Sequence, residues 1–208
     1  MIIEKRADAN DFSPVHTQID NAVIDGQPAM RVVKAEKIND YDENTYAVLN
    51  DFAMRNGSIE MRMRSRLLPD APDFARGFIG VVFRVKADSS EFESFYVRPT
   101  NGRGCTDSVR KSHGCQYFSY PGYTFAYFRE FGITEFEAPI DLGLDEWFTL
   151  RVEFEDERAS LFLNDSDQPV LTVLRMKHGA GERGSLGVFV DIGTEAFVSD
   201  IKIVSEDD

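Results

Sequence analysis

The amino-acid sequence predicts an all-β sandwich, and three observations lead there. Apolar and polar residues alternate at period two, and no long window carries the i, i+3, i+4, i+7 stripe of an amphipathic helix. Turn-forming pairs (Asp25-Gly26, Asn56-Gly57, Asn101-Gly102, Pro121-Gly122) punctuate the chain; Gly reaches left-handed backbone, and Asn, Asp and Pro favour turns. The 17 Phe, 7 Tyr and 1 Trp suit the pleated, half-buried surface of strands. Counted at the spacing of a sandwich, the segments amount to roughly eleven strands.

The first clear strand covers 57–66. Ile59, Met61 and Met63 take one face, and Glu60, Arg62, Arg64 and Arg66 the other, as in a half-buried antiparallel strand. Residues 78–85 are apolar on both faces, with Ile79, Val81, Phe83 and Val85 against Phe78, Gly80, Val82 and Arg84, so this strand is central in its sheet. In 147–154, Phe148, Leu150, Val152 and Phe154 alternate with Thr149, Arg151 and Glu153. Asp156-Glu157 makes a hairpin tip, and Ala159, Leu161 and Leu163 return. Residues 164–167 turn the chain before 169–174, and 185–191 and 197–204 close it. Residues 100–140 differ: they are rich in Gly, Tyr and Phe, and hold one good strand near 116–119. A long irregular segment of this kind is usually functional, and its aromatic content argues against disorder.

The 208 residues read as one domain spanning 1–208. A chain of this length buries about 70% of its unfolded surface and needs neither metal nor disulfide to hold a core. Its net charge of −13 argues against a nucleic-acid partner and against an anionic membrane surface. The N-terminal apolar run is too short for a signal-peptide core, and none is long enough to span a membrane. The expected location is therefore cytoplasmic. Cys105 and Cys115 are the two cysteines; a reducing compartment leaves them as free thiols, with a disulfide as the alternative.

A series of short motifs points further: Phe95-Tyr96-Val97-Arg98-Pro99-Thr100-Asn101-Gly102-Arg103, His113-Gly114-Cys115-Gln116-Tyr117, Tyr120-Pro121-Gly122-Tyr123, Glu146-Trp147-Phe148-Thr149-Leu150-Arg151-Val152, Leu161-Phe162-Leu163-Asn164 and the closing run 193–203. Together they resemble bacterial concanavalin A-like lectin/glucanase domains. The nearer resemblance is to laminin G-like proteins related to the 3-keto-disaccharide hydrolase domain family. It covers roughly 57–204 and implies a jelly roll of two antiparallel sheets with a concave face that often binds sugars. The Glu-x-Asp-x-x-Glu strand of family-16 glycoside hydrolases is missing; neither 153–157 nor 91–93 fits it. A retaining mechanism with two carboxyls about 5–5.5 Å apart therefore has no sequence warrant.

The candidate ligand-binding residues are Tyr96, Arg98, Asn101, Arg103, Gln116, Tyr117, Tyr120 and Tyr123, joined by Arg84. Aromatic faces stack on sugar C–H patches, and planar Arg, Asn and Gln groups bond paired hydroxyls; such convergence marks a small-ligand site. Residues 100–140 are expected to lie as an ordered lid, leaving a hollow over the sheet. The candidate catalytic residues are Glu93 and His113. Glu93 shares the face of Phe95 and Val97, so it is buried or needs a cation such as Arg84 or Arg98. Of the three histidines (His16, His113, His178), His113 alone lies in the polar-aromatic segment. Arg62, Arg64 and Arg66 form a basic row, with Arg84 on a neighbouring strand; it would hold an anionic sugar or make cross-strand pairs with acids. No metal-ligand spacing is present and no cofactor is expected. A structural Ca²⁺ at Asp165/Asp167 or at the tail Glu206-Asp207-Asp208 has weak support, since no Asp-x-Asp-x-Asp-Gly loop exists.

Three readings stay open. The first is a carbohydrate-binding jelly-roll domain. The second is a sugar-processing hydrolase acting on an oxidised (3-keto) glycoside. The third is a non-catalytic structural or homo-oligomeric interaction module. The partner expected is a small molecule or oligosaccharide.

Overall fold

The computed structural model describes residues 1–35, 40–181 and 183–207. Within them, fifteen strands form two antiparallel sheets packed face to face. In chain order the strands are β1 (Ile2–Arg6), β2 (Phe12–Val15), β3 (Thr17–Ile24), β4 (Gln27–Lys34), β5 (Tyr46–Leu49), β6 (Gly57–Leu67), β7 (Ile79–Val85) and β8 (Phe92–Val97). Then come β9 (Cys115–Tyr120), β10 (Glu137–Ala138), β11 (Phe148–Glu155), β12 (Arg158–Leu163), β13 (Leu171–Val173), β14 (Ser185–Val190) and β15 (Thr194–Ser205). The first sheet runs β13-β12-β11-β6-β15-β4-β3, and the second runs β10-β9-β8-β7-β14-β5-β2.

The spine of the first sheet is β15, which pairs with β6 from Thr194 opposite Leu67 to Ser205 opposite Gly57. On its other edge, residues 195–198 pair with β4 and residues 200–204 with β1. The expected alternation holds here. Ile59, Met61 and Met63 face inward with Phe148, Leu150, Val152 and Phe154 and are buried. Across the core, the second sheet contributes Ile79, Val81, Phe83, Phe95, Val97 and Tyr117. The Phe83 ring sits 4.6 Å from Phe154 and 6.2 Å from Phe95, centroid to centroid. Such burial of large rings is the main stabilising contribution to a sandwich core. The central position read for 78–85 is confirmed, since every residue of β7 is buried between β14 and β8.

Two features depart from the sequence expectation. Among the described residues there are two short α-helices, α1 (Ser108–Lys111) and α2 (Phe125–Glu130); neither is long enough for a periodic stripe to show. Several N-terminal strands are also weak in the sequence. β3, for example, lies at a sheet edge and mixes exposed and buried positions without clean alternation. Both thiols are free, and burial pushes Cys115 up to about 12. Among the described residues no helix is long and apolar enough to cross a membrane.

Phe83→Ala should lower stability by about 3–5 kcal/mol through lost burial and a residual cavity. Urea denaturation should show a lower midpoint with an unchanged slope.

Candidate functional site

The outer face of the second sheet is covered by Tyr41, which meets Phe74, Phe78 and Phe125, and by the start of α2 over Arg98, and this closes the hollow that the sequence led us to expect. On that face Tyr96, Phe118 and Phe189 meet at centroid distances of 5.2–5.7 Å. Phe92 packs on Phe118 and Tyr46, and Phe78 on Tyr96. These rings are fully buried.

Arg98 fastens the cover. Its guanidinium donates to the Tyr96 hydroxyl (2.8 Å), to Gln116 Oε1, to the His113 carbonyl (3.2 Å) and to Glu137 Oε1 (2.7 Å). Glu137 also accepts from Arg129 (3.1 Å), and its Oε2 lies 2.9 Å from His113 Nδ1. Asn101 donates to the His113 carbonyl (3.0 Å) and accepts from Arg110. The reading of Tyr96, Arg98, Asn101 and Gln116 as ligand contacts is corrected accordingly: all four are buried. Arg98 bonds Tyr96 and Gln116 Oε1, Asn101 is held by the His113 carbonyl and Arg110, and Gln116 Nε2 is buried with no hydrogen-bond partner. His113 is part of this strut, and burial lowers its pKa. Tyr117 is buried in the core, while Arg103 lies on the surface, paired with Asp141 and Glu146 at 2.9 Å each.

A second buried cluster latches the same cover. Lys34 Nζ donates to Asp191 Oδ1 (2.9 Å), and Asp191 Oδ2 accepts from the Asp42 amide (3.0 Å). Asp42 Oδ2 in turn accepts from the Phe125 amide at the start of α2 (2.5 Å). Burial, together with the neighbouring Asp191, raises Asp42 to about 7. Asp191 is raised by burial against the pull of Lys34.

Of several open concavities on the surface, one lies at the end of the sandwich where β7 finishes and β8 begins. It is a cleft of about 320 Å³ lined by Arg84, Lys86, Glu91, Phe92, Glu93, His178, Gly181 and Arg183. Its volume is at the lower end of the roughly 300–1,000 Å³ range of small-ligand sites. A β-bulge builds it. Val82 pairs with Gly187, but Val85 pairs with Ser185, so Phe83 and Arg84 together oppose Leu186. Arg84 takes a left-handed φ of 52°, which is uncommon outside Gly. Bulges re-aim side chains next to sites. Here the bulge turns Arg84 away from the outer-face row of Gly80 and Val82 and sets its guanidinium 5.6 Å from the centre of the Phe154 ring. Arg84 is thus on the second sheet, not beside the row Arg62, Arg64 and Arg66 on the first. That row is largely occupied locally: Arg64 with Asp25 and Asp145, Arg66 with Glu195, and Arg62 over Trp147.

Three carbonyl-type acceptors hold Arg84: the Arg55 and Gly179 carbonyls and Asn56 Oδ1, at 3.1–3.2 Å. The loop at 179–184 closes on it because Gly181 and Gly184 carry no Cβ; one added there would come within 2.6 Å and 2.4 Å of Arg84 atoms. Glu93 points inward with Phe95 and Val97, as the strand alternation requires. It accepts from the Tyr117 hydroxyl (2.7 Å), from Ser119, and from the His178 amide (3.2 Å). Burial holds its carboxyl above the ordinary range, against the pull of the Ser119 and Tyr117 hydrogen bonds. His178 Nε2 lies 3.0 Å from the Tyr120 carbonyl, and Nδ1 lies 3.7 Å from Glu91.

Of the residues singled out in the sequence, then, the structure brings Arg84 and Glu93 together at a cleft, with Tyr120 and Tyr123 beside it. His178 was missed. It is 85 positions from Glu93, and no local motif links the two; only the folding of the 176–181 loop joins them. Asp165 and Asp167 are exposed on the β12–β13 turn. Asp207 accepts from the Arg55 and Asn56 amides, and Asp208 lies outside the described residues. Among the described residues no group of three or more His, Cys, Asp or Glu could hold a metal ion.

The fold has clear counterparts. The carbohydrate-binding module CBM66 from Bacillus subtilis superposes with a TM-score of 0.59 at 14% identity, over 91% of this chain and 94% of that one. The Ca²⁺-bound exoplasmic/lumenal domain of VIP36 gives 0.52 at 9% identity, over 95% and 84%. A native glycosidic hydrolase gives 0.50 at 10%, over 98% and 95%. These likenesses show the fold: a jelly-roll sandwich of two antiparallel sheets. No family model matches the sequence, and no curated protein matches it.

The latch makes stability depend on pH. Between the ordinary value of 3.8 and about 7, Asp42 is protonated in the folded chain and ionised in the unfolded one. Folding takes up a proton there, so stability falls as pH rises. Denaturation midpoints at pH 5 and pH 8 should differ less in Asp42→Asn than in the wild type, by roughly 2–3 kcal/mol.

Proposed function

We propose that this chain is a sugar-binding jelly-roll domain whose ligand enters the cleft at Arg84, Glu91, Glu93, His178 and Arg183, and not the covered outer sheet face. One observation carries the reading: buried and half-buried polar groups of both kinds converge on a cleft the size of a small ligand. Sugar hydroxyls donate and accept at once. Glu91 supplies acceptor oxygens, one of them bonded to Lys86 at 2.6 Å, and His178 and Arg183 also line the cleft. Paired placement of this kind gives orientation and specificity in small-ligand sites. The likeness to a carbohydrate-binding module supports the reading as an analogy of fold, and the site carries the argument.

A second reading, hydrolysis of a glycoside, is favoured by Glu93. A general acid must hold its proton near the working pH, and burial in a cleft wall is how a carboxyl comes to do so. The 3-keto-disaccharides named by the sequence resemblance are the substrate class for this reading.

Calorimetric titration with a panel of mono- and disaccharides tests the binding reading. His178→Ala and Arg183→Ala should each weaken binding about tenfold, the loss of one good polar contact, while Arg103→Ala should leave it unchanged. No binding of any sugar at millimolar concentration overturns the proposal. For the second reading, the wild type should release product from a 3-keto-glycoside and Glu93→Gln should not; a wild type that releases nothing is a binding module alone.

A further inference from the structure

We infer that the ligand is an oligosaccharide, and that its chain runs out of the cleft along a shelf formed by Tyr123, Tyr127 and Phe131. The inference rests on the reading of the cleft as a sugar site and gives that site a direction and a substrate class.

The rings form an unbroken row that starts at the cleft wall. Tyr123 meets the His178 ring edge-on at 5.9 Å, Tyr127 lies 5.3 Å from Tyr123, and Phe131 lies 4.8 Å from Tyr127. The residues fall at intervals of four along the chain, and the Phe131 amide donates to the Tyr127 carbonyl at 3.1 Å. Tyr127 and Phe131 therefore share one side of α2 and its C-cap; Tyr123, bridged to Ser119 just before α2, joins them by ring contact, while Phe128 is buried. The Lys177 ammonium stands 5.7 Å from the centre of the Tyr123 ring, where it can donate to a hydroxyl of a sugar stacked there.

Phe131 is what calls for an explanation. It is 62% exposed, the one large aromatic left so among the described residues, and it has no polar handle for water. A second copy of the chain is a poor occupant. Stable dimers bury about 800 Å² per partner, more than three rings can supply when two of them are half-buried and a fully buried ring contributes roughly 150–250 Å². Charged Arg129, Glu130 and Glu135 also flank the shelf. A narrow ligand with alternating apolar C–H faces and hydroxyl edges fits the row, and each stacked ring adds contact at little entropic cost because the aromatic side chains are already packed against one another.

The test is calorimetric titration with gluco-, fructo- and galacto-oligosaccharide series running from one to six units. Affinity should rise about tenfold between the monosaccharide and the trisaccharide of the preferred series, as one or two stacking contacts supply. Phe131→Ala should abolish that rise while leaving monosaccharide affinity and the thermal midpoint unchanged, and Phe131→Tyr should retain it; Tyr127→Ala should also abolish the rise, with a lower thermal midpoint because the ring packs on the core. Equal affinity for all lengths overturns the inference and leaves the cleft site standing. So does a length dependence that survives Phe131→Ala. A concentration-dependent dimer lost in Phe131→Ala assigns the ring to self-association and also overturns it. Absence of binding at every length, the monosaccharide included, removes the cleft reading itself.

Discussion

The architecture turns on one buried cation. Arg98 sits at the end of β8 with 5% of its surface exposed and gathers Tyr96, Gln116, the His113 carbonyl and Glu137 around a single guanidinium. A desolvated charge is tolerable only when fully paired and hydrogen-bonded. Tyr96, Gln116 and Glu137 come from β8, β9 and β10, and the carbonyl from His113 in the loop before β9, so satisfying the charge ties three strands of the second sheet to that loop. Breaking one partner of such a pair leaves the other charged and dry, which typically costs about 3–5 kcal/mol. The Asp191–Asp42–Phe125 chain is a second buried polar cluster, in which burial, with Asp191 beside it, raises the Asp42 carboxyl to about 7.

Closing the outer face of the second sheet moves the chemistry. A jelly roll with its outer sheet face bare offers a broad surface for a ligand; here the surface is a second core of Tyr96, Phe118, Phe189 and Phe92. A cleft stays open at the end of the sandwich, where the β7 bulge takes a left-handed backbone at Arg84 and turns a cation towards the buried Glu93. His178, Gly181 and Arg183 complete the wall. The chain there is held from below by Glu93 through the His178 amide and by Tyr117 through the Lys177 amide, at 2.7 Å for the latter. Glu93 therefore has two roles that fit together: it fixes the loop that presents His178, and it is the most deeply buried carboxyl facing the cleft.

The glycines in this loop follow from the same geometry. At 181 and 184 the chain passes so close to Arg84 that any side chain would displace the guanidinium or the strand backbone. The bulge, the glycines and the buried acid form one construction, in which changing any member moves the others.

How much of this is readable without coordinates differs between the fold and the site. The fold class, the inward faces of β6 and β11, the central place of β7, the strand at 116–119 and the inward direction of Glu93 all follow from period-two alternation, which is a local property of the chain and survives any arrangement of the sheets. The short helices and the weak N-terminal strands leave too few repeats for a period to register. The site is different in kind. Tyr96, Arg98 and Gln116 have the residue types of a sugar site, and the same hydrogen-bonding capacity serves as well for an internal strut; side-chain chemistry alone does not say whether the partner is a ligand or the protein. Arg84 was assigned by alternation to the wrong face because a bulge inserts one residue and leaves no mark in the pattern. His178 joined Glu93 across a long stretch of sequence through a loop with no periodicity. The sequence by itself determined which residues alternate and hence that two sheets would form; the tertiary structure alone decided which face would be covered and where an opening would survive, because burial of polar groups is settled by long-range contacts that no local window contains.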